Sequence, residues 1–137
     1  MENNLSTFLV DGNNVVFNKQ KEAKLERLIN LKNELITIGK CYTVVSHELR
    51  FRIDDRNNLK KLISSNDVIQ TPKKVDCDLY ILEIARKLNA YLVSNDNFRQ
   101  YKSYYPDVLC KRLHFLFVST HDGNIPILPW KKDFEGS

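Results

Sequence analysis

This sequence lacks several patterns that would assign a class of protein at once. It contains neither a G-x-G-x-x-G nor a G-x-x-x-x-G-K-[ST] loop, which argues against a dinucleotide-binding or P-loop site. Its 3 cysteines are an odd number, and no pair has the C-x-x-C spacing of a zinc or redox centre. We therefore expect free, buried thiols at Cys41, Cys77 and Cys110.

Signals for a membrane or for secretion are also missing. The first residues, MENNLSTF, have no basic segment followed by an apolar one. No apolar run approaches the roughly 20 residues that span a bilayer. We expect an intracellular, cytoplasmic protein with no membrane partner. The 137 residues suit a single domain over residues 1–137. The sequence does not decide between a monomer and a homo-oligomer.

Short apolar stretches alternate with helical patterns along the chain. We predict strands at residues 5–10, 42–46, 68–70, 91–93 and 113–118. We predict helices at residues 25–36, 54–64, 76–88 and 98–105, the last stopped by Pro106. Such alternation is typical of βαβ units. The expected fold is therefore α/β, with a central, mostly parallel five-stranded sheet and helices on both faces.

Three aspartates follow the carboxyl ends of these strands. Asp11 follows the first strand in FLVDGNNV, Asp96 follows the fourth in YLVSND, and Asp78 begins the helix after the third in KKVDCDLY. Strands 1 and 4 of a doubly wound sheet lie side by side where the strand order reverses, so Asp11 and Asp96 should be neighbours. Each aspartate alone could be a turn residue or a helix N-cap, but three such caps need not share one edge.

Clustered carboxylates repel one another unless a cation lies among them. Mg²⁺ (or Mn²⁺) prefers oxygen ligands, and the chemistry suited to such a site is phosphodiester hydrolysis by a metal-activated water. Basic residues occur near the same predicted edge, where they suit a nucleic-acid backbone or form a solvated face. The ones that we rank as nucleic-acid contacts by charge and position are Arg50, Arg52, Lys73, Lys74 and Arg99.

Four segments resemble the NYN/PIN-like endoribonuclease domain of the Regnase group. They are VDGNNVV (10–16), VDCDLYILEIA (75–85), VSNDNFRQY (93–101) and KRLHFLFV (111–118). The sequence lacks the CCCH zinc finger that some members carry. The resemblance, over about residues 8–130, implies a small Rossmann-like fold. It also implies a Mg²⁺-dependent acidic site that cuts single-stranded or stem-loop RNA.

The resemblance assigns roles to particular residues. Three aspartates match the family's catalytic, metal-holding residues: Asp11, Asp78 and Asp96. Asn14 matches an asparagine that organises the site, and Ser94 with Asn95 completes the S-N-D motif. Lys73 and Lys74 fall in a basic loop that the family uses for RNA. Arg112 matches an arginine before the last strand, with a structural or a phosphate-binding role.

Two positions depart from the family pattern. Cys77 stands where the family has the first of two paired aspartates, and Gln100 stands where it has an aspartate four residues after Asp96. An amide keeps an oxygen acceptor but removes a charge, so we expect weaker metal binding. Asp76 could act as a further metal ligand if it precedes the helix. An endoribonuclease and a catalytically weakened RNA-binding module both stay open.

Other classes fit less well. Asp11-Gly12-Asn13 lacks the second carboxylate of a phosphatase D-x-D motif. The histidines lack a partnered nucleophile, so we expect structural or surface roles for His47, His114 and His121. The segment ILPWKKDF (127–134) could dock a partner protein, but we expect Trp130 and Phe134 to pack on the domain instead.

Overall fold

The computed structural model describes residues 5–17 and 21–135. Its strands are β1 (Ser6–Asp11), β2 (Gly39–Val45), β3 (Ile69–Gln70), β4 (Tyr91–Val93), β5 (Arg112–Leu113), β6 (Leu116–Thr120) and β7 (Gly123–Ile127). Its helices are α1 (Gly12–Val16), α2 (Leu25–Leu35), α3 (Arg56–Ser64), α4 (Cys77–Leu88) and α5 (Pro106–Leu109). Short 3-10 helices span His47–Phe51, Arg99–Tyr101 and Lys131–Phe134. No helix among the described residues has the length and apolar character needed to cross a membrane.

Five strands of the described chain form a parallel sheet in the order β3-β2-β1-β4-β5. The central strand β1 pairs with β2 on one side and with β4 on the other. The chain moves outward from β1 to β3 and then returns to the opposite side of β1, so the strand order reverses between β1 and β4. The predicted α/β, Rossmann-like fold and the pairing of the first and fourth strands are therefore confirmed.

Successive residues of β1 pack against opposite helix layers. Phe8 and Val10 belong to the core that α1, α2 and α3 cover, whereas Leu9 belongs to the core that α4 and α5 cover. Side chains two residues apart in a strand share a face. Asp11 therefore lies on the same face as Leu9, towards α4.

Two predicted elements are wrong in detail. The helix expected at residues 98–105 is a 3-10 helix, Arg99–Tyr101, and Pro106 begins α5 rather than stopping a helix. Proline suits the first position of a helix because its missing N–H has no partner there. The strand expected at residues 113–118 is divided between β5 and β6. The Asn95 side chain bonds both the N–H and the carbonyl of Phe115, at 3.0 and 2.9 Å, which takes this backbone out of the sheet.

The strands β6 and β7 form an antiparallel hairpin that sequence patterning missed. The hairpin is joined to α2 through the buried Asn124. The side-chain amide of Asn124 donates to the Glu26 carboxylate at 2.6 Å, and the backbone carbonyl of Asn124 accepts from the Asn30 side chain at 2.7 Å. These contacts fix β7 against α2 through a buried polar side chain, whereas Ile125 and Ile127 of the same strand are exposed.

The C-terminal aromatic residues pack on the domain, as expected. Trp130 stacks on Phe8 at 5.8 Å between ring centroids, and Phe134 meets Phe8 and Tyr91 edge-on at 5.1 and 4.9 Å. The cysteines are free, as predicted. The prediction that they are buried holds only in part, because Cys41 and Cys77 are half-buried and Cys110 is exposed at the end of α5.

Candidate metal centre and nucleic-acid interface

Asp11 is the last residue of β1, and only 4% of its surface is exposed. Its carboxylate also caps α1, because it accepts the backbone N–H of Asn14 at 3.4 Å. Close packing explains the glycine that follows. A Cβ atom at Gly12 would lie 2.5 Å from the Val45 side chain and 2.9 Å from the Val44 carbonyl oxygen. The D-G pair thus turns the chain sharply against β2 and holds the carboxylate at the sheet edge.

Ser94 connects the ends of β1 and β4. Val93 pairs with Val10, so the next residue of each strand, Ser94 and Asp11, meet at the same edge. The Ser94 hydroxyl donates to Asp11 at 2.9 Å, and its oxygen accepts the backbone N–H of Asp96 at 3.1 Å. Ser94 itself is fully buried. One hydroxyl therefore positions both the first aspartate and the loop that carries the third.

The loop after β4 holds Asp96 in a fixed turn. One carboxylate oxygen of Asp96 accepts the N–H of Phe98 at 2.9 Å. Phe98 has a left-handed backbone, with φ of 49°, and its ring is buried in the α4 layer. The Arg112 guanidinium donates to the Asp96 carbonyl. Asp96 is therefore both a turn residue and a member of the acidic site, so these two predicted roles do not exclude each other.

Asp78 enters the site from the first turn of α4. The helix is capped by Asp76, whose carboxylate accepts the N–H groups of Asp78 and Leu79 at 3.0 and 3.4 Å. The hydroxyl of Tyr101 donates to the other oxygen of Asp76. In the part of the chain that the structure describes, the acidic group does not include Asp76. Asp76 is thus the N-cap of α4, whereas Asp78 belongs to the acidic group.

Asp11, Asp78 and Asp96 each offer one carboxylate oxygen, and these oxygens lie within 4.8 Å of one another. Burial, and then repulsion from Asp78 and Asp96, raises the pKa of Asp11 to about 7. Burial, followed by the charges of Asp96 and Asp76, also raises the pKa of Asp78. Carboxylates this close together favour a bound proton or cation that offsets their repulsion, and their oxygens are the donor set that a hard divalent cation fits.

Asparagine side chains tie the neighbouring strand ends together. The carbonyl oxygen of Asn14 accepts the N–H of Asn95 at 2.9 Å, which joins α1 to the loop after β4. The side chain of Asn13 bonds both the N–H and the hydroxyl of Ser46, at 2.9 and 2.8 Å. Asn14 thus makes a contact that suits the organising role expected of it. The bridge from Asn13 to Ser46 was not predicted, although both residues directly follow strand ends.

The two unusual positions differ in their surroundings. Gln100 is exposed in the 3-10 helix Arg99–Tyr101. Cys77 is half-buried, and burial together with the carboxylates of Asp11 and Asp78 raises its thiol pKa to about 12. The thiol is therefore neutral near pH 7 and adds no negative charge to the site. The charge available to a cation comes from the three aspartates.

Most of the predicted RNA contacts are exposed in segments that follow the carboxyl ends of strands: Arg50, Arg52, Lys73, Lys74 and Arg99. Arg112 differs, because it is half-buried and donates to the Asp96 carbonyl. This contact places the Arg112 guanidinium against the backbone of the acidic loop. The exposed cations surround the edge of the sheet that carries the carboxylates.

The histidines stay outside the acidic group of the described residues. His47 contacts Arg50, with 3.0 Å between the ring nitrogen and the guanidinium, and His114 and His121 are exposed. They occupy structural and surface positions, as expected. The site therefore offers carboxylates, rather than imidazoles, to a reacting phosphate.

An open groove of about 650 Å³ begins beside Asn14 and Asn95. Lys24 and Arg27 line it, together with aromatic side chains that include Phe117. The Arg27 guanidinium lies 4.1 Å from the centroid of the Phe117 ring. This groove combines positive charge with ring faces next to the acidic site. It depends on the hairpin, which is why sequence patterning did not predict it.

A parallel sheet whose reversal point carries clustered carboxylates, flanked by exposed cations, is the arrangement of a PIN/NYN-type nuclease domain. The chain belongs to the Zc3h12a-like ribonuclease NYN domain family, whose sequence model matches residues 4–123. The resemblance to the Regnase group is thereby confirmed, and the protein is a ribonuclease-type domain.

Two solved structures of Arabidopsis thaliana nuclear protein-only RNase P 2 (PRORP2) are similar to this chain. One is 22% identical with a TM-score of 0.69, and the other is 20% identical with a TM-score of 0.64. Each match covers 90% of this chain and 30% of the PRORP2 chain. At this identity the likeness shows a shared fold, and the chain spans less than a third of PRORP2. No curated protein matches the chain.

Proposed function

We propose that this domain is a Mg²⁺- or Mn²⁺-dependent endoribonuclease that cuts single-stranded or stem-loop RNA. The observation that carries the proposal is the meeting of Asp11, Asp78 and Asp96, whose carboxylate oxygens lie within 4.8 Å of one another. Membership of a ribonuclease domain family supports RNA as the substrate. The exposed cations along the same edge supply attraction for the phosphate backbone.

The three carboxylates would hold the divalent cation. Burial, and then repulsion between the carboxylates, raises the pKa values of Asp11 and Asp78, and a bound cation would offset that repulsion. A bound cation of this kind activates water for attack on phosphorus and offsets negative charge that develops on the phosphate. Asp76 is engaged by the helix N–H groups and by Tyr101, so it contributes to the position of Asp78 rather than to the ligand set.

The protein's own groups orient the acidic residues before RNA arrives. Ser94 holds one oxygen of Asp11, and the N–H of Phe98 holds one oxygen of Asp96. The other oxygen of Asp11 accepts the N–H of Asn14, but each carboxylate oxygen has a second lone pair that can face a cation. Asn14 and Arg112 fix the backbone of the acidic loop through its N–H and carbonyl groups. Such prior positioning lowers the cost of reaching the reactive arrangement.

The shape of the edge supports an unpaired substrate. The groove beside Asn14 and Asn95 presents Arg27 stacked on Phe117, and cation–ring surfaces of this kind accept unstacked bases. A base-paired helix hides its base faces and offers a uniform backbone instead. A loop or single strand can place bases in the groove while its phosphate lies at the carboxylates.

Exchange of one metal-holding carboxylate tests the proposal. We expect Asp96→Asn to fold normally and to lose cleavage of an end-labelled single-stranded RNA in Mg²⁺. Asp122→Asn makes the same chemical change at an exposed turn of the hairpin and should keep wild-type activity. Undiminished cleavage by Asp96→Asn, in a preparation free of contaminating nuclease, would contradict the catalytic proposal.

A second candidate function is RNA binding without efficient cleavage. It is favoured by the exposed amide of Gln100 and the neutral thiol of Cys77, where the resemblance leads us to expect carboxylates. Titration of Mg²⁺ or Mn²⁺ into labelled RNA and wild-type protein separates the two functions. Shortened RNA supports the enzyme, whereas a mobility shift of intact RNA at every metal concentration supports the binding module.

A further inference from the structure

Phe51 is an aromatic residue that the fold leaves outside its core. It ends the 3-10 helix that follows β2, and 60% of its surface is exposed. The guanidinium groups of Arg50 and Arg56 lie 4.7 and 5.7 Å from the centroid of its ring. Two cations thus lie close to one exposed ring, within the distance of a cation–π contact.

A groove of about 450 Å³ opens beside this ring, and we call it the Phe51 groove. Its apolar lining comes from Phe51, Leu59 and Ile63, and its basic lining comes from Arg50, Arg56 and Lys60. Gln70 adds an amide at the end of β3. Apolar ring contact, flanking positive charge and an amide match the three parts of a nucleotide: a base face, phosphates and polar base edges.

The two arginine side chains of the groove are held in place. Arg56 donates through Nε to the carbonyl of Arg50 at 2.8 Å, and Arg50 itself contacts the ring nitrogen of His47 at 3.0 Å. Asp55 caps α3 by accepting the N–H of Asn58 at 3.2 Å. A surface that is already ordered loses less entropy when a ligand binds.

The groove lies on the same edge as the acidic site. Gln70 ends β3, and β3 is separated from β1 by β2. Neighbouring strands are about 4.8 Å apart, so the end of β3 is roughly 10 Å to the side of the strand that carries Asp11. The bond network between Asn13 and Ser46 joins the intervening strand ends. A single RNA strand can cover this span with a few nucleotides.

We propose that the Phe51 groove is an RNA subsite in which one unpaired base stacks on the Phe51 ring, while Arg50 and Arg56 face the adjoining phosphates. The proposal rests on the proposed function, since it takes RNA as the substrate, and it adds a substrate requirement. The RNA must present an unpaired base a few nucleotides from the phosphate that lies at the acidic site. Base stacking of this kind tolerates any sequence, because every base has a ring face.

The test uses single-stranded RNAs that carry the fluorescent base 2-aminopurine at successive positions. The protein carries Asp96→Asn so that the RNA stays intact, and a separate wild-type assay records cleavage. We expect stacking to quench fluorescence at one position. Adding Phe51→Ala should abolish that quenching and weaken RNA binding roughly 10-fold, and adding Phe51→Tyr should preserve both. Tyr104→Ala, which removes an exposed ring beside the last turn of α4, is the matched control and should change neither.

A second experiment shows whether the groove recognises the base or only the negative charge of the RNA backbone. An RNA with an abasic nucleotide at the quenched position should bind more weakly than intact RNA to the Asp96→Asn protein that keeps Phe51. The two RNAs should bind equally to the protein that also carries Phe51→Ala. Equal binding of abasic and intact RNA, unchanged binding after Phe51→Ala, or no RNA binding at all would overturn the subsite. Absence of cleavage by the wild-type protein, with quenching intact, would contradict the proposed nuclease and leave the subsite supported.

Discussion

The buried hydroxyl of Ser94 donates a 2.9 Å hydrogen bond to the carboxylate of Asp11 across the reversal point of the sheet. The same hydroxyl oxygen accepts the N–H of Asp96 at 3.1 Å. Ser94 therefore joins two acidic residues that are far apart in the sequence, and its hydrogen bond acts to lower the pKa of Asp11 against the effect of burial. The acidic site depends on this link as well as on the carboxylates.

Ser94→Ala should weaken the metal centre without removing any ligand. Loss of the hydroxyl leaves one buried oxygen of Asp11 without its donor and raises the pKa of Asp11 further. We expect metal affinity to fall about 10- to 100-fold, as for other losses of a supporting hydrogen bond. Calorimetric titration with Mn²⁺ measures the change. Ser103→Ala, at an exposed serine, is the control, and equal affinity of the two variants would contradict the role of Ser94.

Metal-free protein should become less stable as the pH rises. Folding raises the pKa of Asp11 from 3.8 to about 7, so the folded state binds this proton more tightly than the unfolded chain does. The resulting stability is complete below about pH 4 and is lost as the pH rises through about 7. Between about pH 5 and pH 8 the free energy of unfolding in EDTA should fall by about 2–3 kcal/mol.

Urea unfolding at successive pH values measures this loss. Asp11→Asn has no titrating group at this position, so its stability in EDTA should vary much less with pH. Saturating Mn²⁺ should oppose the loss in the wild-type protein, because a cation displaces the proton. If stability in EDTA instead rises with pH between about pH 5 and pH 8, the result would contradict the raised pKa of Asp11 in the folded protein.

The salt dependence of RNA binding should distinguish Lys73 and Lys74 from Arg112. Lys73→Ala combined with Lys74→Ala removes two exposed charges before α4, so the slope of log affinity for single-stranded RNA against log salt should decrease by about 1.4. Lys40→Ala combined with Lys87→Ala removes the same charge at the opposite edge of the sheet and should leave the slope unchanged. An unaltered slope in the first variant would exclude the loop from the RNA path.

Arg112→Met should act through the acidic loop instead. Its guanidinium donates to the Asp96 carbonyl, so its loss should slow cleavage while the salt slope of RNA binding stays as in the wild type. Single-turnover cleavage and filter binding on the same RNA measure the two quantities. A reduced slope with unchanged cleavage would show that Arg112 is a phosphate contact.

Gln100→Asp should strengthen a site that lacks one family carboxylate. Gln100 is exposed in the 3-10 helix that follows the acidic loop, and an aspartate there adds a negative charge. We expect half-maximal cleavage at a lower Mg²⁺ concentration. Asn97→Asp adds the same charge in the same loop, at the exposed residue whose side chain caps Arg99, and should have a smaller effect. Equal effects of both variants would indicate general electrostatics rather than a ligand position.

Sequence patterning predicted the parts of this molecule that local periodicity controls. The pairing of the first and fourth strands and the meeting of Asp11 with Asp96 followed from alternating elements and from the rule for open parallel sheets. The positions of α2 and α4 followed from apolar residues at helical spacing. These features need no knowledge of distant contacts, and they sufficed to place the acidic site.

Features that depend on tertiary contacts were not predictable in this way. The division of residues 113–118 between two strands depends on Asn95, a residue about twenty positions earlier that bonds the Phe115 backbone. Pro106 carries the same local signal whether it ends or begins a helix. The exposure of Phe51 depends on how the 3-10 helix meets α3. Localisation, domain number and oligomeric state stay predictions from the sequence.

Cleavage of end-labelled single-stranded RNA by metal-stripped wild-type protein, measured during titration with Mg²⁺, tests the central claim most directly. The three clustered carboxylates predict no cleavage in EDTA and a saturable rise in rate as Mg²⁺ is added. The same titration with Asp96→Asn should give no rise. Full cleavage in EDTA by the wild-type protein, or an identical Mg²⁺ response in the two proteins, would contradict a metal-dependent acidic site.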